Sequence, residues 1–233
     1  MANPLHAAAY HGWGLLERRQ GNYLRARDLW TRGIQATRRS PNPFLYQSLA
    51  VLAADMDCHE EARKWFRQGT RTLSGSASHA LWQAWALMEA RLGSEPSLVR
   101  RLFARGLEAS PRSRYIHLAW ARWEAEVQGN VEAARKLYEQ GARANPRDAA
   151  LFCAWALLEE QQGDVESARK LFQRGSRADP GHLYVWQGWG VLEFRAGEYE
   201  ASRELFQQGI WAAPPGCADV CLIFQVRAGR VCV

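Results

Sequence analysis

Two ionisable side chains recur at fixed places along the 233-residue chain. Arg27, Arg63, Arg100, Arg135, Arg169 and Arg203 each stand six residues before a glycine, namely Gly33, Gly69, Gly106, Gly141, Gly175 and Gly209. Glu17, Glu89, Glu124, Glu159 and Glu193 each stand four residues after a tryptophan: Trp13, Trp85, Trp120, Trp155 and Trp189. Such groups serve three kinds of chemistry. Paired carboxylates act as general acids and bases. Guanidinium groups hold phosphate, and a guanidinium and a carboxylate satisfy each other through two parallel hydrogen bonds. A catalytic pair is needed once, whereas the Arg returns in all six copies of a unit and the Glu in five. Their period therefore points to structural ion pairs, within a repeat or to the next one, ahead of a ladder of arginines offered to phosphate. The second unit has Ala53 where the others have Glu, so Arg63 is expected to turn to Asp55 or Asp57.

Other catalytic constellations are missing from the sequence. His6, His11, His59, His79, His117 and His182 are scattered without metal-ligand spacing. His59-Glu60 is followed by no second histidine at helical spacing. There is no phosphate-cradling glycine loop, no Gly-x-Ser-x-Gly and no dinucleotide fingerprint. The expectation is a protein that is not an enzyme and carries no cofactor.

The elements that position the Arg and Glu residues follow from the repeat itself. The six glycines lie 34–37 residues apart. Three residues before each is an aromatic (Trp30, Phe66, Phe103, Tyr138, Phe172, Phe206), and seven before each is a small or β-branched residue. Upstream, Tyr10, Tyr46, Trp82, His117, Phe152 and Trp186 precede the tryptophans, or Leu49 in the second unit, by three. Spacings of 3, 4 and 7 fall on one helical face. Each unit thus reads as two helices. Helix A carries aromatic-x-x-Trp-x-x-x-Glu, and helix B carries small-Arg-x-x-aromatic-x-x-Gly. Turn signals such as Gly21-Asn22 and Gly163-Asp164 separate them, and Pro111, Pro146, Pro180 and Pro214 follow the last four glycines. The fold class predicted is all-α, an α-solenoid of about six helix-turn-helix repeats over residues 5–213: approximately 5–40, 41–75, 76–111, 112–146, 147–180 and 181–214. A mid-helix glycine costs roughly 1 kcal/mol. The six are read as points where a helix A ring lies against the helix B backbone, which makes the tryptophans core residues.

The pattern Trp186-x-x-Trp189-x-x-x-Glu193, then Ala201-x-Arg203-x-x-Phe206-x-x-Gly209 and Pro214, resembles the HAT (half-a-TPR) repeat, a relative of the tetratricopeptide repeat. The Glu and the Arg distinguish it from a plain tetratricopeptide repeat. The resemblance runs from about residue 5 to 213. It implies a role in RNA processing. The long uniform run of units is most similar to chloroplast HAT-repeat mRNA-stabilising factors of plants and green algae. By that analogy the chain works on organelle transcripts in the chloroplast, with the nucleus as the alternative placement.

Charge beyond the ion pairs concentrates on one face of helix B. The net charge is +6, and of the 30 basic residues only Lys64, Lys136 and Lys170 are lysines. Positions five before, one before and two after each glycine share a face. They carry Arg32, Lys64, Arg71, Arg101, Arg105, Lys136, Arg143, Lys170, Arg174 and Arg177 against Asp28, Glu108 and Glu204. This stripe suits the phosphates of single-stranded RNA; a solvated helix face is the plainer alternative. A second row, two residues before the helix A tryptophan, holds His11, Gln47, Gln83, Leu118, Cys153 and Gln187. Its imidazole and amides (His11, Gln47, Gln83, Gln187) read as base-edge contacts or as clamps on a peptide. Two residues after the tryptophan the row is mostly apolar: Leu15, Val51, Leu87, Arg122, Leu157 and Val191. An RNA-binding solenoid and a protein-interaction scaffold without direct RNA contact both remain open.

No apolar run approaches the roughly 18 residues of a membrane span, and the N-terminus has neither a signal-peptide nor a transit-peptide pattern. Residues 215–233 leave the register. They carry Cys217, Cys221 and Cys232 without a fourth zinc ligand and read as an irregular tail. Both chain ends read as a piece of a longer array.

Overall fold

The structure, a computed structural model, describes residues 6–37 and 42–213. The tail expected at 215–233, with its cysteines, and Pro214 lie outside the described residues. Within them the fold is an all-helical repeat solenoid. The first repeat is α1 (Ala7–Arg19) and α2 (Tyr23–Ala36), and the second is α3 (Pro43–Asp55) and α4 (His59–Thr70). A four-residue helix, α5 (Leu73–Ser76), precedes the third repeat, α6 (His79–Arg91) and α7 (Pro96–Ala109). Then come α8 (Arg114–Glu126) with α9 (Val131–Ala144), α10 (Ala149–Gln161) with α11 (Val165–Ala178), and α12 (Leu183–Arg195) with α13 (Tyr199–Ala212). The chain forms two compact units, Met1–Trp120 and Ala121–Val233. In the first, α1 packs on α2, α3 on α4 and α6 on α7. In the second, α10 packs on α11 and α12 on α13. Helices A also touch their successors directly, α3 with α6 and α10 with α12.

Local chemistry sets the helix boundaries. Asp148 caps α10 by accepting from the Ala150 and Leu151 amides, and Asp164 caps α11 through Ser167 N. The A–B turns need one left-handed residue. Gly21, Gly93, Gly129, Gly163 and Gly197 supply it with φ between 64° and 85°, and in the second repeat Asp57 takes φ 57° instead. The extra turn α5 was not legible in the periodicity. Thr72 caps it, and it fits because Gly75 lies against the Gly69 carbonyl, where a Cβ would come within 2.0 Å. It accounts for the widest glycine spacing, between Gly69 and Gly106.

The core runs along the repeat junctions. Trp30, Phe66, Phe103 and Phe172 of helix B are fully buried. Phe66 stacks on Trp85 of the next helix A (5.7 Å, 4°), Phe103 on Trp120 (5.8 Å, 11°) and Tyr138 on Trp155 (6.5 Å, 13°). Burying each such ring contributes roughly 2 kcal/mol. Trp13, in the first of the described helices, is 50% exposed. The helix B glycines are close-approach points, but the partner is the stem of the helix A aromatic. A Cβ on Gly69 would sit 2.8 Å from the Tyr46 Cβ and 2.9 Å from Leu81 Cδ2 of the following helix A.

Among the described residues, no helix is long and apolar enough to cross a membrane, and no group of three metal-ligating side chains is found.

Candidate nucleic-acid interface

The recurring arginine of helix B reaches forward to the glutamate in helix A of the next repeat. Arg63 donates from Nε and Nη2 to both oxygens of Glu89, each at 2.8 Å. Arg135 grips Glu159 at 2.9 and 2.6 Å, and Arg169 grips Glu193 at the same distances. Each carboxylate also accepts from the indole one turn earlier: Trp85 to Glu89 (3.0 Å), Trp155 to Glu159 (2.8 Å), Trp189 to Glu193 (3.0 Å). The tryptophan thus has two tasks, packing against the preceding repeat and fixing the carboxylate that the preceding arginine holds. Burial alone would raise the Glu89 carboxyl, but hydrogen bonds from Arg63, Ser94 and Trp85 outweigh it and hold the pKa down at about 2. The Arg169 hydrogen bond likewise lowers Glu193, against its burial.

The forward direction corrects the expectation for the second repeat. Arg63 finds Glu89 and needs neither Asp55 nor Asp57. Those two pair with Arg18 and, weakly, with His59. The residue deprived by Ala53 is Arg27, one repeat earlier, and it turns to Glu61 at 2.6 Å. Among the described residues, Glu17 accepts from Trp13 and Asn22 and pairs with Arg25, and Arg203 pairs with Glu200, three residues away on its own helix. Glu124 is buried at the equivalent place in α8, and Arg100 lies half-buried in α7. Arginines bound in this way are already occupied by carboxylates and are poor phosphate ligands.

The ten cations of the stripe are all exposed. Their charges divide by partner. Arg32 is neutralised by Asp28, Arg105 by Glu108, Arg143 by Glu139 and Lys170 by Glu166, all one turn away. Lys64, Arg71, Arg101, Lys136, Arg174 and Arg177 form no ion pair among the described residues. Arg174 lays its guanidinium over the Phe152 ring, 4.7 Å from the centroid, which holds the group in place and leaves its charge intact. The sequence ratio of cations to carboxylates missed Glu139 and Glu166, which stand outside the three positions counted but one turn before Arg143 and Lys170. The unneutralised set is therefore six cations, three in each unit.

The second row turns out to work between helices A. His11 Nε2 lies 3.1 Å from Ser48 Oγ, Gln83 donates to the Tyr115 carbonyl at 3.2 Å, and the Cys153 thiol reaches the Tyr184 carbonyl at 3.6 Å. These polar atoms are spent on the next repeat, which counts against free base-edge readout by His11 and Gln83. Gln47 keeps its Oε1 buried without a hydrogen-bond partner, and Gln187 is half-buried in α12. Apolar clefts open at the far end of helices A. One, of about 430 Å³, is lined by Leu15, Arg18, Tyr23, Leu52 and Met56; its counterpart in the second unit is lined by Leu157, Glu160, Val165, Leu192 and Arg195. An ion pair bridges each cleft with the polarity exchanged, Arg18 to Asp55 in one and Arg195 to Glu160 in the other.

Comparison with known proteins places these features. Residues 123–182 and 153–216 match the tetratricopeptide repeat family model. The PsbB mRNA maturation factor Mbb1 of the Chlamydomonas reinhardtii chloroplast is 53% identical over 146 residues, covering 47% of this chain and 22% of that protein. The chain therefore spans less than a quarter of the relative's length. Among solved structures, pilF of Pseudomonas aeruginosa superimposes with a TM-score of 0.59 at 14% identity, over 87% of this chain and 89% of that one. A tetratricopeptide repeat protein of Parabacteroides merdae gives 0.55 at 19% identity, over 92% and 82%. Likeness at that identity speaks for the fold alone.

Proposed function

Taking the chain as a tetratricopeptide-like helical-repeat protein related to a chloroplast mRNA maturation factor, we propose that it binds single-stranded RNA and stabilises or processes chloroplast transcripts. The role is that of a binding surface, with no catalytic step. The observation that carries the reading is the division of the arginines and lysines. Those that hold the repeats together are saturated by carboxylates. Six others (Lys64, Arg71, Arg101, Lys136, Arg174 and Arg177) recur on one face of helix B, exposed and without an ion pair among the described residues. Solvent-exposed helix faces ordinarily mix their signs, and charge left uncompensated at repeating positions matches a polymer with one phosphate per residue.

Salt dependence tests it. Binding of a short single-stranded RNA should weaken linearly in log Kd against log salt. Replacing Lys64, Arg101, Lys136 and Arg177 by Gln should reduce the slope by about 0.7 for each phosphate that is no longer neutralised. The apolar clefts favour a second reading, a scaffold that seats a partner helix. Failure of the chain to bind RNA at low salt would leave that reading in possession.

A further inference from the structure

A third row on helix A, five residues before the tryptophan position, alternates large and small. It carries Ala8, Phe44, Ala80 and Tyr115 in the first unit, and Ala150 and Tyr184 in the second. All three rings lie in the first turn of their helices and are half or more exposed: Phe44 50%, Tyr115 50% and Tyr184 61%. Rings of this size are normally buried for the area they remove from water. Each is nevertheless held in place from the repeat before it. Gln83 bonds the backbone carbonyl of Tyr115, and Cys153 that of Tyr184. His11 packs its ring 5.8 Å from Phe44 while bonding Ser48 in the next turn. Further groups steady the tyrosines. His79 lies parallel to Tyr115 (6.3 Å, 3°), the Arg114 guanidinium sits 4.8 Å from the same ring, and His182 lies 6.0 Å from Tyr184.

Building on the RNA-binding reading, we infer that Phe44, Tyr115 and Tyr184 are stacking platforms for unpaired nucleobases. A half-exposed ring whose backbone is pinned loses little freedom when a flat partner lands on it. Every nucleobase offers such a face, so stacking needs no sequence match. Within the first unit, two helix-packing steps of about 10 Å separate Phe44 from Tyr115, a span that a single strand crosses with several nucleotides. The groups set against the rings are imidazoles and a guanidinium, which suit bases and phosphate better than the apolar side chains of a partner helix. Phosphate attraction by the helix B cations and base stacking on helix A are separable contributions, and one strand need not engage both at once.

The test compares a short single-stranded RNA with an abasic strand of equal length, which has the same phosphates and no bases. The full chain should bind the base-bearing strand more tightly. Each of Phe44→Ala, Tyr115→Ala and Tyr184→Ala should weaken that binding about 5-fold or more and leave the abasic strand unaffected, with an unchanged salt slope. Tyr115→Phe and Tyr184→Phe should bind as the parent does, because stacking needs the ring and not the hydroxyl. A triple alanine variant that is folded by circular dichroism and binds the base-bearing strand like the parent overturns the platforms while RNA binding stands. Equal loss from the Phe and Ala variants also overturns them. A parent chain that binds neither strand at low salt removes the RNA reading itself.

Discussion

Arg135 in the fourth repeat and Glu159 in the fifth are joined by Nε and Nη2 hydrogen bonds of 2.9 and 2.6 Å across 24 residues of sequence. Trp155 donates to the same carboxylate, on the Oε1 that also accepts from Arg135 Nε. In an array where each repeat touches only its neighbours, stability is a sum of repeat terms and junction terms. This contact belongs to the junction. It ties one helix pair to the next through a bidentate geometry that Lys cannot reproduce.

Removing the arginine of such a clasp leaves a buried carboxylate uncompensated. Arg169→Ala should lower stability by about 2–3 kcal/mol in urea unfolding, while RNA affinity changes little. Arg203→Ala removes only an exposed pair with Glu200 on the same helix and should change stability by less than about 0.5 kcal/mol. Equal effects from the two variants would sink the junction account. So would an Arg169→Ala variant that loses RNA binding and keeps its melting temperature.

Acid should weaken the junctions. Glu89 has its folded pKa held at about 2 against an ordinary value of 4.5, and Glu193 is lowered in the same sense. A depressed carboxylate contributes stability that is fully present above its unfolded pKa and is lost as pH falls towards the folded one. The clasps should therefore contribute constant stability at neutral pH and lose it progressively from about pH 4.5 down to about 2. Glu89→Gln should shrink that acid-limb decline in a series of thermal melts, and an unchanged limb would contradict the assignment.

The turn of the second repeat offers a gain. Asp57 takes the left-handed conformation that glycine takes in the other turns described. That conformation costs a non-glycine residue about 1 kcal/mol or more. Asp57→Gly should raise stability by up to roughly 1 kcal/mol, read as a higher urea midpoint with an unchanged slope. A fall in the midpoint would show that the aspartate side chain stabilises more than its backbone costs.

The helix B glycines should not be equivalent. A methyl group on Gly69 would meet the Tyr46 Cβ at 2.8 Å, an atom that moves only with its backbone, whereas on Gly175 the nearest atoms stand at 3.3 Å. Gly69→Ala should cost about 1–3 kcal/mol. Gly175→Ala should fall near zero, because the gain in helix propensity of up to about 1 kcal/mol offsets a slight crowding. Thermal melts of the two variants decide it.

The paired helices and their period were legible from residue types alone, though not the short α5, because the Trp-to-Glu and Arg-to-Gly spacings are local consequences of 3.6 residues per turn that recur from unit to unit. The repeating Arg and Glu also announced a structural pair. What local spacing does not carry is direction. Only the packed structure shows that each arginine reaches forward to the next repeat, so that Ala53 deprives Arg27 and not Arg63. The same holds for charge. Glu139 and Glu166 stand outside the three positions counted in the stripe, yet each lies four residues before a cation, and their carboxylates reach Arg143 and Lys170 and remove two cations from it. The half-exposed rings of Phe44, Tyr115 and Tyr184 were missed because an aromatic near a helix start reads as core by type. Their exposure is decided by packing between repeats and not by the order of residues within one.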